Sequence, residues 1–271
     1  MIGQTLLLNK INKYSFDTFP QSVIFEGEYG CGKHLLIDYI TDRLKISSSD
    51  ISLEISNDLI LNLYTIPTPM LYIIDIDKAS QSKKINILQN AILKFVEEPP
   101  QLAKVVIVCE YNTQLLDTIK NRCQLFTFEK YHKEQLKQFS TENNIELLPD
   151  YLYDIYNTPG KLLLLKNSSD EIHDIEKLID NMIENIHRAT VPNVLSIVNK
   201  IDFGNGGYNL NILLQLMRYK LIQKMNTTQN FGLLKKYYMH TAEIDNKIKL
   251  LNVNKKLLFE NYLMNLKSET I

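Results

Sequence analysis

The most constraining feature of the chain is a glycine-rich loop, Gly27-Glu28-Tyr29-Gly30-Cys31-Gly32-Lys33-His34, set between a β-type run at Val23–Phe25 and a helical pattern at Lys33–Leu44. A strand that turns through glycines into a helix is the context that a GxxxxGK phosphate loop requires. The glycines let backbone N–H groups approach phosphate oxygens, and Lys33 reaches the β- and γ-phosphates beside the positive end of the helix. A working loop continues with Ser or Thr, whose hydroxyl binds Mg²⁺. Here His34 takes that place, and Mg²⁺ prefers hard oxygen ligands to imidazole. Gly27, Gly30, Gly32 and Lys33 therefore read either as a degenerate nucleotide site or as a strand-to-helix turn whose glycines serve packing alone.

The residues downstream keep alternating. β-type runs at Ile51–Ile55, Met70–Ile76, Val105–Cys109 and Gln124–Phe128 are interleaved with helical patterns at Ile85–Glu97 and Leu115–Lys120. That alternation predicts a parallel sheet covered on both faces. After Phe128 the β signal fades and amphipathic helical patterns continue as far as Leu266. Turn residues at Asn157–Gly160, a polar break at Lys166–Asp170 and a glycine loop at Gly204–Gly207 divide the helical part. The predicted organisation is an α/β domain at about 1–128, a small helical domain at 129–167 and a helical C-terminal domain at 168–271.

Tyr72-Ile73-Ile74-Asp75 is an apolar strand ending in a carboxylate, the arrangement that helps hold Mg²⁺ near phosphates. An active ATPase of this kind places a Glu next, to polarise water; the next residue here is Ile76. Asp77 would share the face of Asp75 because strand faces alternate, so it misses the direction of the absent Glu unless the chain turns there. The alternative is that Asp75 and Asp77 merely solvate a strand end.

Composition excludes some classes. A formal net charge of −1 argues against a surface given over wholly to phosphate binding, while leaving local basic patches open. Cys31, Cys109 and Cys123 are odd in number and lack CxxC pairing, so they build neither a disulfide framework nor a four-thiolate zinc site. No apolar run approaches membrane-spanning length and no charged leader opens the chain, which predicts a soluble, cytoplasmic protein.

Asn90-Ala91-Ile92-Leu93-Lys94-Phe95-Val96-Glu97-Glu98-Pro99-Pro100 is a helix stopped by two prolines. It resembles the NALLKxLEEPP segment of clamp loaders, subunits of the AAA+ ATPase family. Thr118-Ile119-Lys120-Asn121-Arg122-Cys123-Gln124 resembles their TIxSRCQ motif, with Asn121 where Ser is usual. Ile2-Gly3-Gln4 and Asp17–Gln21 resemble the family's N-terminal stretches, Thr158-Pro159-Gly160-Lys161 its SPGxA-type turn, and Asn252–Glu260 the NxNxxLxxE stretch of its collar helix. Taken alone, Arg122 is a surface charge and Lys161 a solvated basic residue at a helix start. In the order phosphate loop, acidic strand, EEPP helix and TIxNRCQ, the match is specific and spans nearly the whole chain.

The resemblance, which is to the delta-prime type of DNA polymerase III clamp-loader subunit, implies an AAA+ sheet domain, a helical lid and an all-α collar. It implies that Arg122 is an arginine finger for a neighbouring subunit's ATP site, and that Lys161 lies near a sensor-2 position beside Gly27, Gly30, Gly32, Lys33 and Asp75. The implied partners are other clamp-loader subunits in a hetero-oligomeric ring, a sliding clamp and primer-template DNA, with no membrane. No cofactor is expected to be required, weak ATP or ADP binding stays open, and the chain alone is not expected to be an active ATPase. Many relatives insert a four-cysteine zinc module before the acidic strand; Asp38–Thr68 contains no Cys, so no zinc is expected. An ATP-hydrolysing loader subunit and an AAA+-derived scaffold outside replication remain as alternatives.

Overall fold

The computed structural model describes residues 3–52, 64–65, 68–76, 78, 85–165, 169–201, 209–227, 231–248 and 254–269. Ile2, Leu53–Ile55, Asp77, Lys166–Ser168, Gly204–Gly207, Asn252 and Val253 lie outside them.

The chain packs as two compact units. The first comprises Met1–Leu147 and Asn157–Leu162, and the second Leu148–Tyr156 and Leu163–Ile271. The first opens with helix α1 (Thr5–Ile11) and then strand β1 (Ser22–Glu26), helix α2 (Lys33–Leu44), β2 (Ser47–Asp50), β3 (Met70–Asp75), α3 (Ile85–Glu97) and β4 (Ala103–Cys109). A short helix α4 (Asp117–Lys120), β5 (Gln124–Thr127) and α5 (Lys133–Glu142) follow.

The five strands form one parallel sheet in the order β2-β3-β4-β1-β5. Burial follows that order. Every residue of β4 is buried, as is nearly all of β3, because both strands are covered on two faces. The edge strands β2 and β5 are mostly exposed or half-buried. On one face Leu36, Ile37 and Ile40 of α2 meet Val23, Phe25, Val106, Val108 and Phe126. Elsewhere Phe95 of α3 meets Tyr72 of β3 edge-on, with ring centroids 5.4 Å apart.

Of the β-type run at Ile51–Ile55, Leu53–Ile55 lie outside the described residues; the strand beside β3 is Ser47–Asp50, with Ser47 opposite Met70 and Asp50 opposite Ile73. An edge strand buries little, so Ser-Ser-Ser-Asp can form it without an apolar pattern. The other expected strands and helices appear within a few residues of their predicted ends.

The second unit contains α6 (Leu152–Ile155), α8 (Ser169–Asn185), α9 (Val191–Val198), α10 (Leu210–Met225), α11 (Phe231–Ile248) and α12 (Lys255–Ser268). Helix α7 (Pro159–Leu165) begins in the first unit and ends in the second. Asn209 caps α10 by accepting from the Asn211 and Ile212 N–H groups, and Asn254 caps α12 through Leu257.

Phe25 is fully buried, edge-on to Phe126 and Phe128 at 5.8 and 6.3 Å. Phe25→Ala is expected to cost about 3–5 kcal/mol by emptying that site. Exposed Phe231→Ala should cost little. Chemical denaturation followed by circular dichroism checks the difference.

Candidate functional site

The loop between β1 and α2 takes its path from its glycines. Gly30 and Gly32 have φ of 77° and 101°, backbone that side chains rarely adopt. A Cβ at Gly27 would lie 2.7 Å from Cys31 Sγ and 2.8 Å from Phe128 Cβ. Beside the loop lies the first turn of α7. The Gly160 N–H donates to the Gly30 carbonyl at 2.9 Å, and Thr158 Oγ1 donates to the Tyr29 carbonyl at 2.8 Å. The approach is backbone against backbone: a Cβ at Gly30 would come within 2.7 Å of Gly160 Cα.

Charged groups around the loop are paired within the chain. Lys33, 8% exposed, donates its Nζ to the carbonyls of Gly27 and Glu28. Lys161, also buried, reaches Glu28 Oε2 at 2.8 Å and Asn157 Oδ1 at 2.7 Å. Burial pushes the Glu28 carboxyl up, but the Lys161 hydrogen bond and charge, helped by Asn157, hold it below its ordinary 4.5.

At the end of β3, Asp75 is buried with His34 Nε2 3.1 Å from its Oδ2. Its Oδ1 accepts from the Lys78 N–H at 3.1 Å, and its own N–H donates to Ser52 Oγ at 2.7 Å. Ser52 Oγ donates in turn to Asp50, whose other oxygen pairs with Lys78 Nζ at 2.7 Å. Burial pushes Asp75 up, yet the His34 hydrogen bond, the Lys78 N–H and the nearby positive charges hold it below its ordinary 3.8. Lowered carboxylates stabilise the fold above their ordinary 4.5 and 3.8, and that contribution fades as the pH falls through their native values. Ile76, the residue after Asp75, is fully buried.

A cleft of about 30 Å³ beside the loop is lined by Glu28, Cys31, Phe128, Lys130, Tyr131 and Thr158, room for water alone. Tyr131 donates its hydroxyl to the Cys31 carbonyl at 2.7 Å. Buried Gln4 bonds the Glu129 backbone twice, donating to its carbonyl at 2.8 Å and accepting from its N–H at 3.0 Å. Burial raises the Cys31 thiol to about 11 and Cys123 to about 12, which leaves both poor nucleophiles. Among the described residues no group of three or more His, Cys, Asp or Glu is placed to hold a metal ion, and no helix is long and apolar enough to cross a membrane.

The structure thus gathers Gly27, Gly30, Gly32, Lys33 and Lys161 at the loop, with Asp75 joined to α2 through His34. Arg122 has a different setting, on the turn between α4 and β5. Its Nη1 donates to the Thr118 carbonyl at 2.7 Å and its Nη2 pairs with Glu97 Oε1 at 2.5 Å, both side chains being more than a third exposed. Sequence reading did not single out Glu28, Thr158 or Glu97 as partners. Their contacts span large sequence separations, and only the glycine at Gly160 hints at a close approach.

Residues 46–132 match the family described as "DNA polymerase III, delta subunit". The chain is similar to the replication factor C small subunit of Methanosphaera stadtmanae, 22% identical over 226 residues that cover 74% of this chain and 68% of the relative. Among solved structures, a Thermotoga maritima RuvB variant aligns with 97% of this chain and 87% of its own at 14% identity and a TM-score of 0.51. A DNA polymerase III gamma subunit-related protein of the same organism aligns with 97% of this chain and 98% of its own, at 18% identity and a TM-score of 0.46. The parallel sheet, with its glycine loop after β1 and helical C-terminal region, is the AAA+ P-loop fold. The chain is thus similar to clamp-loader proteins, in the family match over residues 46–132.

The Gly30–Gly160 approach leaves no room for a side chain. Gly160→Ala is expected to lose about 1–3 kcal/mol by overpacking. Gly232→Ala has open space and should be neutral or gain up to about 1 kcal/mol. Thermal unfolding of both variants tests this contrast.

Proposed function

We propose that this chain is a delta-prime-like clamp-loader subunit that does not hydrolyse ATP itself and supplies Arg122 as an arginine finger to the ATP site of a neighbouring subunit. The observation that carries the first half is the state of the acidic strand. Asp75 is held by His34, and the water-polarising position is a buried isoleucine, Ile76. An imidazole on the strand carboxylate is a poor substitute for a hydroxyl and Mg²⁺, and a buried alkyl group does no acid–base work.

For the second half, Arg122 stands half-exposed at a turn in the TIxNRCQ motif, held by a Glu97 pair that solvent reaches. Exposed ion pairs are worth about 0–1 kcal/mol, so exchanging Glu97 for a neighbour's phosphates is energetically easy. A guanidinium delivered there stabilises charge that develops on the transferred phosphoryl group. The partners in this reading are other loader subunits in a hetero-oligomeric ring, the sliding clamp and primer-template DNA. Assembly falls to the C-terminal helices, where Val191, Leu195, Phe231, Met239 and Leu257 are exposed apolar side chains.

Arg122→Ala is expected to leave the protein folded and assembled while slowing the partner's DNA- and clamp-stimulated ATP hydrolysis by about 10³-fold. Lys120→Ala, which loses only the neighbouring pair with Asp117, should change it little. The measurement is phosphate release by the reconstituted complex. An unchanged rate with Arg122→Ala in an intact complex rules out the finger and favours an AAA+-derived scaffold.

A further inference from the structure

The phosphate site carries its own substitutes for a nucleotide's charges. We propose that Glu28 and His34 are built-in ligands of the loop, a carboxylate that occupies Lys161 and an imidazole that occupies Asp75, and that together they exclude Mg²⁺–nucleotide from it. The inference deepens the reading of a non-hydrolysing subunit and rests on it for the role of the site.

A nucleotide brings two things to such a loop: phosphate negative charge for its lysines and a cation for the strand carboxylate. Each of those groups already has a partner here. Lys161 has Glu28 at 2.8 Å, backed by Asn157, and Asp75 has His34 at 3.1 Å. Glu28 lies within the loop itself, so its carboxylate repels any phosphate that approaches the same backbone. The Lys161 hydrogen bond and charge hold that carboxyl below its ordinary 4.5. Entry therefore requires two pairs to break and one like-charge contact to form.

The backbone supports the same arrangement. Thr158 and Gly160 fix the loop carbonyls of Tyr29 and Gly30 from the α7 side, and the adjoining cleft of about 30 Å³ holds no more than water. Glu28 is also the residue that brings the Lys161 ammonium down onto the loop, so one carboxylate both fills the anion position and keeps the lysine in place. His34 reaches Asp75 from the first turn of α2.

The test is calorimetric titration of the full-length chain with Mg²⁺–ADP and Mg²⁺–ATP, for wild type, Glu28→Ala, His34→Ser and the double variant. Removing the like charge and the imidazole is expected to tighten binding about ten-fold or more in the double variant. Adding Lys33→Ala should abolish the gain, which places it at the loop. Glu28→Gln removes the charge while keeping the shape and a hydrogen bond to Lys161, so it should shift affinity in the same direction even where the alanine variant folds poorly. Equal affinity of wild type, Glu28→Gln and a folded double variant overturns the proposal. ATP hydrolysis by the wild type would instead overturn the non-hydrolysing reading, so the two failures are separable.

Discussion

The structure depends on one close approach. The backbone of Gly30, at the apex of the loop after β1, lies against the backbone of Gly160, joined by an N–H to carbonyl bond of 2.9 Å. Only two glycines allow that distance. From it follow the Thr158 bond to Tyr29, the descent of Lys161 onto Glu28 and the narrowness of the cleft beside Tyr131. A loop whose sequence suits it to cradle phosphate is, in this chain, a point where two segments far apart in sequence are tied together.

Much of the fold was legible in the sequence because the parallel sheet is buried on two faces. Runs such as Val105–Cys109 are continuously apolar, and α2 and α3 begin or end at a glycine or proline signal. β2 was not legible for the converse cause: an edge strand of Ser47–Asp50 buries little and carries no apolar signature. At the site, the glycines, Lys33, Asp75 and Lys161 were recognisable from motif order. Glu28 and His34 as their partners were not, because pairing across 133 and 41 residues leaves no trace in local spacing. Glu97 was read only as part of a helix end, yet it is the residue that holds Arg122.

The two halves of the proposed function have different physical origins. In this reading the loss of hydrolysis is a matter of replaced groups, His34 for a hydroxyl and Ile76 for a carboxylate, beside a network in which buried Asp75 and Ser52 join exposed Asp50 and Lys78. The finger requires only that one arginine be exposed and weakly held, a demand on the surface that the core does not constrain. A subunit can therefore lose its own chemistry while keeping what a neighbour needs from it, provided that the sheet still presents the turn between α4 and β5.

The central claim is that this chain does not hydrolyse ATP itself. It is tested most directly by steady-state phosphate release from the purified chain in Mg²⁺–ATP, against a Lys33→Ala control that removes the loop lysine. The account predicts the same background rate for both. Turnover by the wild type above that control would contradict it.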